Sequence, residues 1–174
     1  MIVEQKRHDD FGILYDRYSE KVYHKCISFV KDLDEAKDVT HDVFLKTFIS
    51  LSKFSHQSKF STWLYSLTYN FCIDYLRKNN RVRKEPEEVL ENIADEQDDT
   101  HERELMKMQA AQLVHVLDTI SVKDKMILLM KYQDDMSIKE MMIALEVNES
   151  AIKMRLKRAK AKAVNTYKAM YGDE

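Results

Sequence analysis

Apolar residues recur at three- and four-residue steps along most of this chain and almost nowhere alternate. Phe11, Leu14, Tyr15, Tyr18, Val22, Cys26, Phe29 and Val30 form one such stripe, which predicts a helix over about residues 10–31. "DLDE" breaks it. A second helix carries Ala36, Val39, Val43, Phe44 and Phe48 on one side and Lys37, Asp38, His41, Asp42 and Lys46 on the other. A polar loop, SKFSHQSKFS at 52–61, leads to a third helix, for which Ser61 or Thr62 is the expected N-cap. The pattern lapses from Arg81 and resumes near Leu105. Helices are then predicted over about 105–120, 122–132, 138–146 and 149–170. SVKD (121–124) and SIKE (137–140) are capping boxes for two of them.

Composition narrows the fold to one class. Two glycines (Gly12, Gly172) and one proline (Pro86) among 174 residues cannot build glycine-rich phosphate loops or nucleophile elbows. The chain is expected to be all-α. Cys26 and Cys72 have no paired spacing and read as reduced, buried thiols. The six histidines form no i, i+4 pair, so neither a metal nor any other cofactor is expected. No nucleophile–base pair is visible, which argues against an enzyme. No apolar run reaches the roughly 20 residues that span a bilayer. A soluble, cytoplasmic protein without direct membrane contact is the expectation.

Charge adds a second layer. Residues 85–104 hold ten acidic groups and one basic, Arg103, although the whole chain is only −2. This segment, with the only proline, has a linker's composition. Residues 153–168 hold seven basic groups and no acid. A merely solvated helix usually interleaves acids. Behind a short capped helix and a three-residue turn, this one has helix-turn-helix spacing and suits a polyanion. Val147, Ile152 and Leu156 are its expected inward face; Lys153, Arg155, Lys157, Arg158, Lys160 and Lys162 are expected to cover the rest.

The third helix, KFSTWLYSLTYNFCIDYLRKNNR (59–81), pairs aromatics with cations. Phe60, Leu64, Leu67, Phe71 and Tyr75 share one face and read as core. Trp63, Tyr65 and Tyr69 lie partly off that face, beside Arg77, Lys78, Arg81 and Arg83. Aromatics next to a basic rim suit unstacked bases of a single strand. The preceding loop supplies hydrogen-bonding groups for a flipped base.

In this order the segments resemble the extracytoplasmic-function group of bacterial sigma factors, over nearly the whole chain. DEAKDVTHDVFLKTF (34–48) is similar to that group's core-polymerase-binding helix. The third helix is similar to its −10 recognition and melting helix through Trp63, Leu64, Asn70, Asp74, Leu76 and Arg77. MSIKEMMIALEVNESAIKMRLKRAKAKA (136–163) is similar to its −35 reader. The resemblance implies two small helical domains, 1–82 and 105–174, joined by an acidic linker at 83–104 that threads a basic channel of the polymerase. It implies core-polymerase contacts at Asp38, His41, Asp42 and Lys46. Contacts to −10 DNA would come from Ser55, Gln57, Lys59, Ser61, Thr62, Trp63, Tyr65, Asn70, Arg77, Lys78 and Arg81. Contacts near −35 would come from Ser150, Lys153, Met154, Arg155, Lys157 and Arg158. The implied partners are core RNA polymerase, promoter DNA, and an anti-sigma factor or other regulatory protein.

There are departures from the family's pattern. Ala, Gly, Thr and Ser are usual where Met142, Glu146, Ala151 and Met154 stand, and Gln where His41 stands. The first four bear on −35 readout. A sigma factor recruited by a separate DNA-bound factor is therefore one alternative. A helix-turn-helix regulator that is no polymerase subunit is another, and a helical adaptor that ignores DNA is a third.

Overall fold

The computed structural model describes residues 2–79 and 95–172, with side chains from 11–79 and 99–172. Every regular element among them is helical. The chain divides into two compact units, Met1–Arg83 and Lys84–Glu174.

The first unit is a three-helix body of α1 (Ile2–Val30), α2 (Leu33–Ser50) and α3 (Phe60–Lys78). Helix α1 starts earlier than its apolar stripe, and Glu4, Gln5, Lys6 and Arg7 are good helix formers in their own right. Lys31 turns the chain with φ 65°, and Asp32 then caps α2 by accepting from the backbone N–H groups of Asp34 (3.0 Å) and Glu35 (2.9 Å). A 3₁₀ turn, Leu51–Lys53, ends α2. The core joins Val22, Cys26 and Phe29 of α1, Val39, Val43 and Phe44 of α2, and Leu64, Tyr69, Cys72 and Leu76 of α3. Buried hydroxyls sit among them without penalty. Thr40, Thr47, Ser66 and Thr68 each donate to the carbonyl four residues back in their own helix, at 2.6–2.8 Å.

Two expectations for α3 are corrected. Its N-cap is Lys59, with no side-chain cap, and not Ser61 or Thr62. Its buried face is Leu64, Tyr69, Cys72, Ile73 and Leu76, while Phe60, Leu67, Phe71 and Tyr75 are half-buried. The face is rotated because α3 packs against both α1 and α2. Cys26 and Cys72, distant in sequence, are hydrogen-bonded neighbours in this core. That bond, and then burial, push the Cys72 thiol up.

The second unit contains α4 (Asp95–Lys107), α5 (Ala110–Thr119), α6 (Val122–Leu128), α7 (Ile138–Leu145) and α8 (Glu149–Tyr171). Part of the segment read as linker is thus helical: α4 begins at Asp95 and packs against α8. The rest of that segment, 83–94, lies outside the described residues. The single helix expected over 105–120 is two, broken at Met108 and Gln109, and no residue in the sequence marks that break. Helix α6 runs on through a π-helical turn, Leu129–Gln133. The core is rich in methionine, with Met126, Met130, Met136 and Met141 buried beside Val116, Ile152, Leu156 and Val164. Ser121 caps α6, and Ser137 with Glu140 forms the complete capping box of α7.

Candidate functional site

On α2, alternation of buried and exposed positions leaves one open face. Asp38, His41, Asp42 and Lys46 are all exposed, and the Lys46 ammonium lies 5.5 Å from the Phe71 ring centroid. Leu45 and Ile49 are exposed as well, at 53% and 76%. The sequence reading missed them. They stand four apart and next to the charged set, so the face is an apolar stripe with a polar border.

The loop before α3 exposes Ser55, Gln57 and Lys59, and Ser61 is half-buried. His56 holds a left-handed backbone, φ 57°, and its ring packs on Phe54 at 4.5 Å. Trp63 is half-buried against Phe54 (5.3 Å) and Phe60 (5.7 Å), so one aromatic cluster ties the loop to the helix. Asn70, Arg77 and Lys78 are exposed, with Arg77 3.7 Å from Asp74. Two residues expected at the DNA differ. Thr62 is buried, and Tyr65 is held between Tyr18 (6.4 Å) and the Lys25 ammonium (4.3 Å). Arg81 lies outside the described residues.

In the second unit, α7 and α8 flank a tight turn. Glu146 ends α7 in the left-handed conformation, φ 53° and ψ 40°, and Asn148 caps α8 by accepting from the Ala151 N–H at 2.8 Å. Ser150, Lys153 and Arg155 are exposed and Met154 is half-buried. Lys157 and Arg158, expected on the same surface, are each only 8% exposed, and Lys160 is 5% exposed. The physical reason is that other elements cover this part of α8, so the aliphatic stems are packed away.

The basic run also lacks acids only in sequence. Lys160 meets Glu102 at 3.2 Å and Lys168 meets Glu104 at 2.9 Å, both acids from α4. Lys162 meets Asp124 at 2.7 Å, and Lys153 meets Glu149 at 2.7 Å. Hydrogen bonding to Lys153 holds the Glu149 carboxyl below its usual range. The exposed cations nearest the turn are fewer than the sequence count suggests. Among the described residues, no group of three or more His, Cys, Asp or Glu is placed to hold a metal ion, and no helix is long and apolar enough to cross a membrane.

Residues 14–82 match the family model for Sigma-70 region 2, and residues 110–162 match that for Sigma-70 region 4. One match falls in each unit. The chain is 26% identical over 171 residues to the ECF RNA polymerase sigma factor SigW of Bacillus subtilis, covering 91% of this chain and 89% of that one. It is 31% identical over 126 residues to the ECF sigma-E factor of Haemophilus influenzae, covering 68% and 65%. Two solved structures share the fold. One is CnrH in complex with the cytosolic domain of CnrY (TM-score 0.61, 19% identity, 96% and 91% covered). The other is RpoE with the anti-sigma factor NepR from Bartonella quintana (TM-score 0.62, 18% identity, 91% and 97% covered). Region 2 followed by region 4, each on its own helical unit, makes this chain a member of the extracytoplasmic-function group of bacterial RNA polymerase sigma factors.

Proposed function

We propose that this sigma factor docks on core RNA polymerase through the outer face of α2, captures −10 DNA with the loop and start of α3, and touches the −35 region with α8. The observation that carries the reading is the open face of α2, where exposed Leu45 and Ile49 sit among Asp38, His41, Asp42 and Lys46. A monomer gains nothing from leaving such a stripe in water. The −10 residues are Ser55, Gln57, Lys59, Trp63, Asn70, Arg77 and Lys78, with Ser61 at their edge. The −35 residues are Ser150, Lys153, Met154 and Arg155. Bond making belongs to the polymerase, and this chain supplies recognition and strand capture.

Because Bartonella quintana RpoE was solved with an anti-sigma factor, a protein inhibitor is a further proposed partner here. The test is run-off transcription with core polymerase. Promoter-dependent transcripts only in the presence of this chain are expected. A chain that binds duplex DNA alone but never yields a transcript with core would overturn the reading in favour of an independent regulator.

A further inference from the structure

A cleft of about 710 Å³ opens in the second unit, and the promoter reading accounts for only part of its lining, Ser150, Lys153 and Met154. Its walls come from α4, the π-helical turn, α7 and one side of α8. Four lysines from two elements, Lys131, Lys153, Lys157 and Lys160, converge on it against two acids, Glu102 and Glu149. Lys157 and Lys160 are each under a tenth exposed. Ile138, Met154 and Leu156 add an apolar floor, and Tyr132 adds an aromatic ring. The volume lies within the usual range for small-molecule sites, which combine apolar lining with a few charged groups. A π-helical turn is a common way to aim side chains into such a site.

We propose that this cleft binds a small phosphorylated ligand of the nucleoside polyphosphate class, its phosphates on the lysines and its base against Tyr132 and the apolar floor. A compact anion suits the site better than a DNA backbone for a steric reason. Duplex phosphates reach exposed cations such as Lys153 and Arg155, whereas Lys157 and Lys160 line the cleft and are little exposed. Lys160 is already held by Glu102, so a bound phosphate would compete with that acid and loosen the tie between α4 and α8. Ser150, Lys153 and Met154 line the cleft and also belong to the proposed −35 face. Occupancy would therefore alter duplex binding.

The experiment is equilibrium binding of ATP, inorganic pyrophosphate and adenosine, in separate arms, to the full-length chain. Saturable binding of ATP, with or without pyrophosphate, is expected. Lys157→Gln and Lys131→Ala should each weaken it about tenfold, the loss of one charge-assisted contact. Lys123→Ala, outside the cleft, should leave it unchanged. Circular dichroism of each variant separates lost binding from lost folding, and any unfolded variant is replaced by Tyr132→Leu, which should weaken ATP but not pyrophosphate. Binding of adenosine alone, no saturable binding of any probe, or binding indifferent to these substitutions overturns the proposal. So does protection of Lys131 and Lys157 from acetylation by random-sequence duplex but not by ATP, which would assign the cleft to DNA. None of these outcomes depends on the run-off result.

Discussion

Lys25 of α1 donates from its ammonium to the Tyr69 hydroxyl of α3 at 3.1 Å, and both residues are buried. The same ammonium lies 4.3 Å from the Tyr65 ring centroid and 5.1 Å from that of Tyr69. A cation in this position needs both the hydroxyl and the ring faces, since burying a charge without compensation is costly. Tyr69→Phe removes the hydroxyl but keeps the ring, and should destabilise the first unit by about 1.5–3 kcal/mol, the range for hydrogen bonds to charged groups. Lys25→Met removes the charge itself and should cost less. Trp63 is the chain's only tryptophan, so its fluorescence during urea unfolding reports this unit. An unchanged midpoint for Tyr69→Phe would show that the bond is not structural.

The α2 face gives a prediction with two separable parts. Asp38→Lys with Asp42→Lys should weaken core-polymerase binding in a salt-dependent way, because these carboxylates are exposed. Leu45→Ser with Ile49→Ser should weaken it with little salt dependence, because the lost term is apolar burial. Neither pair should lower the unfolding midpoint, since all four side chains are exposed. Titration of labelled core polymerase at two ionic strengths checks both. Equal salt dependence for the two pairs would contradict this division of roles.

For strand capture, the structure changes which substitution is informative. Tyr65→Ala would disturb the Lys25 site, and Trp63→Ala would lose packing on Phe54 and Phe60, worth about 0.5–1.5 kcal/mol per aromatic pair. Lys59→Ala and Gln57→Ala touch exposed side chains instead. Both should lower permanganate reactivity of the −10 bubble while leaving the unfolding midpoint in place. Normal bubble formation in the double variant would remove the loop from the opening step.

The helices were legible because each needs an apolar face at helical spacing, and the caps Ser121 and Ser137 marked the starts of α6 and α7, though only Ser137 completes a capping box. Tyr69 was less legible. The sequence shows one leucine- and phenylalanine-based stripe on α3, but contact with two neighbouring helices buries a broader and rotated face. Ser66 and Thr68 look polar in sequence yet are buried, satisfied by their own helix. The partners of Lys160, Lys162 and Lys168 were invisible for a different reason. Glu102, Asp124 and Glu104 lie 38 to 64 residues away, and only folding brings them together. The apolar pair on α2, by contrast, could have been found: Leu45 and Ile49 fall on the side of that helix already marked by its charges.

The turn before α8 bears on the proposed reading of the −35 region. Glu146 holds φ 53°, a conformation that costs a non-glycine residue about 1 kcal/mol or more. Its backbone N–H still reaches the Met142 carbonyl, so the turn closes in spite of the strain. Glu146→Gly should therefore stabilise the second unit by up to about 1 kcal/mol, less the added freedom of the unfolded chain. On the proposed DNA side, Lys153 and Arg155 are exposed and should carry the electrostatic term. Removing either should reduce the salt slope by about 1, whereas the buried Lys157 and Arg158 should matter less. With few exposed contacts, single base changes near −35 should cost less than the roughly 1–3 kcal/mol of a well-made contact. A promoter library randomised across this region, transcribed by holoenzyme alone, measures that directly. A flat −35 profile beside a retained −10 motif is expected, and a sharp motif of several positions would refute it. If Glu146→Gly stabilises the unit and leaves the profile flat, the turn is strained but the weak readout comes from the sparse cations on α8. If the profile sharpens, the turn itself sets the angle of the reading helix.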